Sequence, residues 1–284
     1  MAYTFVLVHG AWHGGWCWQR VAAALRRDGH SVFTPTLTGL GERSHLRHPG
    51  IDVATHVTDI VNVMKWEQLS DVVLCGHSYG GFVISGVAEQ MPAAIRAIVL
   101  LDAFLPANGD TMQKVTGPAI QDAVRAALQR GDLGVPPRSA EAFGVNKADR
   151  AWVDSLCVPQ PIGAFTSAIA LTGGREKIAR KTYIRAKGYH NPSFDRALAA
   201  VQSDPSWRWH EVPCGHDVMV DMPERLSELL LQAAASNARI AKCRRARCAA
   251  KDRLPRPSIL ASRLWCRRNV RRACAIDQLA RRPF

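Results

Sequence analysis

Three side chains in this sequence stand where their types and spacing could do acyl-transfer chemistry: a serine between glycines, a late histidine, and an aspartate among apolar residues. "GHSYGG" (Gly76–Gly81) contains G-x-S-x-G, follows the apolar run "DVVLC" and opens a helical pattern. A serine on such a sharp strand-to-helix turn projects its hydroxyl above the sheet edge, and the flanking glycines spare the strained turn a clash. Ser78 is the expected nucleophile; the competing reading is a tight structural turn with an incidental serine. "HGAWHGGW" (His9–Trp16) is a glycine-rich loop after the first apolar run. Acyl transfer needs two N–H donors aimed where the oxyanion forms, and Tyr79 and Ala11 are expected to supply them.

A serine hydroxyl needs a base, and the chain has ten histidines. His9 and His13 flank the first loop, and His77 points away from the site if Ser78 points into it. His30, His45, His48, His56, His190 and His210 fall in helix, loop or strand-interior patterns, where a surface or hydrogen-bonded role is the default. His216 differs, because "HEVPCGHDVMVDMPERLSELLL" puts it after the last strand pattern and before a terminal amphipathic helix. Catalytic groups gather in loops at the C-terminal ends of parallel strands. His216 is the expected general base.

The base in turn needs a carboxylate at its far ring nitrogen. In "AIVLLDAFLP" (Ala97–Pro106) a carboxylate interrupts a run that otherwise reads as a buried strand. A buried ionised Asp is costly unless a charge or hydrogen-bond donor meets it. The strand after the nucleophile's strand ends beside it on the same sheet edge, so Asp102 is the expected triad acid. The alternatives are an Asp that caps the following turn, or Asp195, which follows Pro192 by three residues and is expected to start a helix. Asp217 directly follows the base and is expected to point elsewhere.

These residues need elements to carry them. Thr4–Gly10, Ser31–Leu37, Asp71–Ser78, Ile95–Ala103, Lys181–Gly188 and Trp207–Pro213 read as strands, mostly as continuous apolar runs, the pattern of parallel strands covered on both faces. "WQRVAAALRRDGH", "DVATHVTDIVNVMKWEQL" and "YGGFVISGVAEQM" carry apolar residues at helical spacing between them. Alternating strand and helix predicts an α/β fold with a mostly parallel, doubly wound sheet. The alternation lapses over about 105–180, where helix-like pieces ("AIQDAVRAALQRG", "ADRAWVDSLC") and Pro-containing turns ("GVPPRS", "VPQPIG") predict a helical cap inserted after the strand that ends at Asp102.

"FVLVHGAWHGGWCW", "GHSYGG" and "GHDVMVDMP" resemble the α/β-hydrolase branch that holds plant-type methyl esterases, hydroxynitrile lyases and bacterial esterase relatives. The resemblance covers about residues 3–235. It implies an α/β-hydrolase fold with a lid, no cofactor, and ester hydrolysis through an acyl-enzyme. Two departures bear on function. Hydroxynitrile lyases of this branch have Lys after the catalytic His and Thr in the oxyanion loop, whereas this chain has Asp217 and Ala11. The plant members carry the triad acid just after the strand matching "KTYIRAKG", where this chain has Tyr189 and no acid before Asp195. An acid at Asp102 instead resembles haloalkane dehalogenases of the wider superfamily. Carboxylester hydrolysis is the leading expectation; cyanohydrin cleavage and a non-catalytic small-molecule receptor are the alternatives.

Charge locates the remainder. Of 37 Lys/Arg and 24 Asp/Glu, 15 and 2 respectively fall in 236–284, so that tail holds the whole net charge of +13 and residues 1–235 balance to zero. Any contact with nucleic acid or an anionic surface therefore falls to the tail, which reads as a disordered Arg/Cys-rich extension. The expected partner of 1–235 is a small ester, and the oligomeric state, a homodimer included, is left open. No run approaches the ~18 apolar residues of a membrane span, and the N-terminus lacks a basic region before its short apolar run. The cytoplasm is the default expectation. Cys17, Cys75, Cys157 and Cys214 read as buried thiols, and no C-x₂-C spacing suggests a metal.

Overall fold

The apolar runs become strands close to where their patterns begin. The strands are β1 (Thr4–Val8), β2 (Ser31–Phe33), β3 (Val72–His77), β4 (Ile95–Leu101), β5 (Gly134–Val135), β6 (Gln160–Pro161), β7 (Lys181–Ala186) and β8 (Trp207–Val212). Six of them form one parallel sheet in the order β2-β1-β3-β4-β7-β8. Every residue of β3 and of β7 is buried, as expected of strands covered on both faces. The computed structural model describes residues 1–235; the basic tail falls outside the described residues.

Helices α1 (Gln19–Arg27), α2 (Val53–Trp66) and α3 (Gly80–Gln90) connect the early strands, and α8 (Pro192–Gln202), α9 (Val218–Asp221) and α10 (Pro223–Ala234) follow the late ones. α1 packs on α10, and α2 on α3. A capping box starts α2: Thr55 N–H donates to Asp52 Oδ1 at 2.8 Å, while the Asp52 N–H donates back to Thr55 Oγ1 at 3.4 Å. α3 is buried from Gly80 through Ala88, which explains its apolar sequence on all sides.

Strand order fixes where a site can form. From β1 the chain steps outward to β2, then returns to place β3 on the other side of β1. The loops leaving β1 and β3 therefore diverge at a topological switch point, where open α/β sheets form their crevices. The glycine-rich loop at His9–Trp16 and the turn at Ser78 are these two loops.

Between β4 and β7 lie α4 (Met112–Thr116), α5 (Pro118–Arg130), α6 (Arg150–Leu156) and α7 (Ile162–Thr166), together with the antiparallel pair β5–β6. The two Pro-containing stretches expected as turns are thus partly strand: Gly134 pairs with Pro161, and Val135 with Gln160. Two-residue strands interrupted by proline leave no periodic signal to read. The strand expected over Ser31–Leu37 stops at Phe33, just ahead of Thr34 and Pro35, where a proline has no N–H for a ladder. Among the described residues, no helix is long and apolar enough to cross a membrane.

Candidate active site

The turn between β3 and α3 holds Ser78 at φ 53°, in the left-handed region where a non-glycine residue is strained. Backbone hydrogen bonds hold it there: Ser78 N–H donates to Leu101 O at 3.2 Å, and its carbonyl accepts from Gly81 and Phe104 N–H at 3.0 and 3.2 Å. Gly76 is required by space. A Cβ there would lie 2.5 Å from the Gly80 carbonyl oxygen, so a side chain would push the turn open.

One residue past β4, Asp102 also has positive φ, at 40°. Its N–H reaches across to Ile184 O of β7 at 2.6 Å, and its side chain is fully buried. His216 Nδ1 donates to Asp102 Oδ2 at 2.6 Å. The other oxygen, Oδ1, accepts from Arg185 Nη1 at 2.7 Å and from Ala186 N–H at 3.0 Å. Asp102 is therefore met by three donors on three sides, which meets the cost of its burial. It does not serve as a turn cap.

His216 is set by backbone and by stacking. Its N–H donates to Phe143 O at 2.8 Å, and the rings of Tyr189 and Phe194 lie stacked at 4.6 and 5.3 Å from its centroid. Tyr189, at the position where the plant-type pattern has its acid, is an aromatic wall. Asp195 lies elsewhere: it binds Arg185, from Nε at 3.0 Å and Nη2 at 2.8 Å, and its side chain is 49% exposed.

Ser78 and His216 line one cavity of about 330 Å³ together with Ala11, Trp12, Phe143 and Phe165. Among the described residues no hydrogen bond joins Ser78 Oγ directly to the His216 ring; such bonds commonly tighten only around bound substrate. The Ala11 and Tyr79 N–H groups donate to no other group among the described residues. Trp12 N–H is engaged by Gln160 Oε1 at 2.9 Å, and Trp12 Nε1 donates to Val135 O at 3.0 Å, which pins the loop to β5 and β6. The Tyr79 phenol turns into the core, 2.9 Å from His56 Nδ1.

Behind the site is a buried group that the sequence did not announce. His13 Nδ1 donates to Ala11 O at 2.8 Å, and Nε2 faces Asp217 Oδ2 at 3.2 Å. Burial opposes charge on His13, but Asp217 and the neighbouring Cys157 Sγ, 4.0 Å from Nε2, together hold His13 well above its usual pKa. Burial likewise opposes charge on Asp217, but His13 first, with His77 and His216 nearby, holds the carboxyl well below its usual range. His77 Nε2 donates to His216 O at 3.1 Å, and its ring is 4.3 Å from that of His216. Burial drives the His77 pKa down, so this ring is neutral. His77 points away from the cavity, as expected, and holds the His216 carbonyl from behind. His9 is neutral too, with its pKa lowered to about 3 by burial.

His77, His216 and Asp217 offer ligand-type atoms within 4.8 Å of one another. Each of the two rings already uses a nitrogen on a protein oxygen, and we assign the grouping no metal. Cys17, Cys75, Cys157 and Cys214 are free thiols; the first two are buried and the others half-buried.

Arg185 escaped the sequence reading. Its signal was the same as that of Asp102: a charge inside a strand otherwise read as buried, which requires a partner.

With this fold and site in view, the chain belongs to the alpha/beta hydrolase family, whose model matches residues 5–229. It is 43% identical over 236 residues to a carbendazim hydrolyzing esterase from Nocardioides sp. (strain SG-4G), covering 80% of this chain and 98% of that one. Methylesterase 1 of Arabidopsis thaliana is 34% identical over 178 residues, 59% of this chain and 54% of that one. Among solved structures, an extracellular alpha/beta-hydrolase from a Paenibacillus species superposes with a TM-score of 0.73 at 23% identity, covering 82% of this chain and 100% of that chain. A pyrethroid hydrolase from Sphingobium faniae JZ-2 does so at 0.61 and 23%, covering 84% and 100%. The chain is an enzyme of the hydrolase class; the two structural likenesses speak for fold alone.

Proposed function

We propose that the chain is a serine carboxylesterase that hydrolyses small, fairly apolar esters through an acyl-enzyme. The observation that carries this reading is the 2.6 Å bond from His216 Nδ1 to buried Asp102, at the wall of a cavity that Ser78 also lines. Ser78 Oγ attacks the ester carbonyl and gives its proton to His216 Nε2. Asp102 keeps Nδ1 protonated and stabilises the imidazolium. The developing oxyanion takes the N–H groups of Ala11 and Tyr79, the latter at the N-terminal end of α3, where the helix dipole favours negative charge. Collapse expels the alcohol, which takes the proton from His216. Water, deprotonated by the same ring, then attacks the acyl carbon and frees the acid and Ser78.

The segment over about 105–180 acts as the cap. Met112, Ile120, Val135, Phe143 and Phe165 from this region line the cavity, so its wall is largely apolar. About 330 Å³ lies at the small end of ligand pockets, which favours compact substrates. Cyanohydrin cleavage is disfavoured, because the position that follows the base holds Asp217, committed to His13.

The test is a series of p-nitrophenyl esters of graded chain length, with carbendazim added because the Nocardioides relative is named for it. Turnover is expected to fall with acyl length. Ser78→Ala should remove activity by several orders of magnitude in kcat while leaving the fold intact. Near-normal turnover by folded Ser78→Ala would sink the reading.

A further inference from the structure

Arg185, fifth residue of β7, is nearly fully buried and sits between two carboxylates. A guanidinium has five N–H donors in a fixed fork, and here every one is used. Nη1 donates to Asp102 Oδ1 at 2.7 Å and also to Ala186 O. Nη2 donates to Tyr189 O at 2.7 Å and to Asp195 Oδ1 at 2.8 Å, and Nε donates to Asp195 Oδ1 at 3.0 Å. The guanidinium carbon lies 5.8 Å from the centre of the Phe194 ring, which itself stacks on His216. The neighbouring register, with Ile184 opposite Leu101, brings Arg185 to the end of β4 where Asp102 stands.

We propose that Arg185 is a positioning residue for the triad: it occupies Asp102 Oδ1 so that Oδ2 is left for His216, and it offsets the carboxylate's charge, with Asp195 as its outer counter-ion. The proposal rests on the esterase reading for its link to turnover. The charges then alternate along one line, Asp195, Arg185, Asp102, His216. Moving the acid to β4 sets it beside β7, and Arg185 on β7 both orients it and ties down the Tyr189 loop that the acid would otherwise occupy.

Arg138 also lines the cavity and donates to the Tyr189 hydroxyl at 3.3 Å, but it is exposed, whereas Arg185 is buried against Asp102 itself. His77 faces His216 from β3 and is held neutral by burial. Burial raises the phenols of Tyr183 and Tyr189, from β7 and the loop after it, and pushes the Cys214 thiol to about 12. Asp217 is matched by His13.

The kcat/KM pH profile on a p-nitrophenyl ester tests this, together with the NMR titration of the His216 ring in histidine-labelled protein. Arg185→Gln leaves the Asp102 charge without its offset, which favours the imidazolium. Its acid limb should rise by about one pH unit, with kcat down on the order of tenfold to a hundredfold, as when a partner that orients a functional side chain is removed. Arg185→Lys keeps the charge and loses the fork, so the limb should stay near its wild-type place while kcat falls. Asp195→Asn releases more of the guanidinium charge to Asp102, and the limb should move down, by less because Asp195 is half exposed to solvent. If Arg185→Gln does not fold, the downward displacement in Asp195→Asn and the unmoved limb in Arg185→Lys decide the question. Acid limbs and His216 titrations that coincide in all three variants would overturn the proposal and leave Arg185 a structural clamp. Displaced His216 titrations in a protein with no Ser78-dependent turnover would uphold the charge relation and remove only the esterase reading.

Discussion

An aspartate that costs stability when unpaired becomes intelligible once its neighbours are counted. Asp102 has His216 on one oxygen and Arg185 with the Ala186 N–H on the other, so each oxygen of the buried carboxylate has a donor. Asp195, the rival acid by chain position, spends its carboxylate on the far side of Arg185. Asp102→Asn should therefore lose on the order of 10³–10⁴ in kcat, because an amide facing Nδ1 favours the wrong tautomer. Asp195→Asn should lose only a few-fold. Steady-state rates of the two variants on one ester check this, and a larger loss in Asp195→Asn would return the acid to its usual strand.

At the scale of elements, the site depends on loops from different strand ends being tied together. His13 on the loop after β1 pairs with Asp217 on the loop after β8, and its other nitrogen holds the carbonyl of Ala11. Both groups link this tie to pH. His13 is raised above its ordinary 6.5, so its contribution is full below 6.5 and is lost as pH rises through the elevated folded value. Asp217 is depressed below its ordinary 3.8, so its contribution is present above 3.8 and is lost as pH falls through the depressed value. Between those limits Asp217→Asn should destabilise the fold by about 3 kcal/mol, as removing one partner of a buried pair does. Urea unfolding of both proteins at about pH 5 and about pH 9 checks it. The gap should be wider at the lower pH, and a gap independent of pH would mean that the charge on His13 plays no part.

For the whole molecule, the decisive feature is how charge is distributed along the chain. Residues 1–235 are neutral overall and contain every residue assigned to the site, while 236–284 carry the net +13. A chain ending at Ala235 should fold and hydrolyse esters at the full-length rate. It should also lose most retention on polyanion columns, with the retention of the full chain falling steeply with salt. Loss of activity on truncation would make the tail part of the enzyme.

Much of this was written locally in the chain. The elbow at Ser78, the alternating strands and helices, and the loop placement of His216 follow from patterns a few residues long, because strand and helix periods and glycine requirements are local. The position of Asp102 was legible for a different reason: a carboxylate in a buried strand demands a partner, and sheet order limits where that partner can be. Its other partner was not legible. Arg185 lies 83 residues away, and only the pairing of β4 with β7 puts the two together. The same holds for His13 with Asp217, 204 residues apart, and for β5 with β6, whose two-residue lengths carry no period. Local sequence determined which groups were available for chemistry. Tertiary structure decided which charges face one another, because that depends on strand neighbours and burial, and neither is a property of any short stretch.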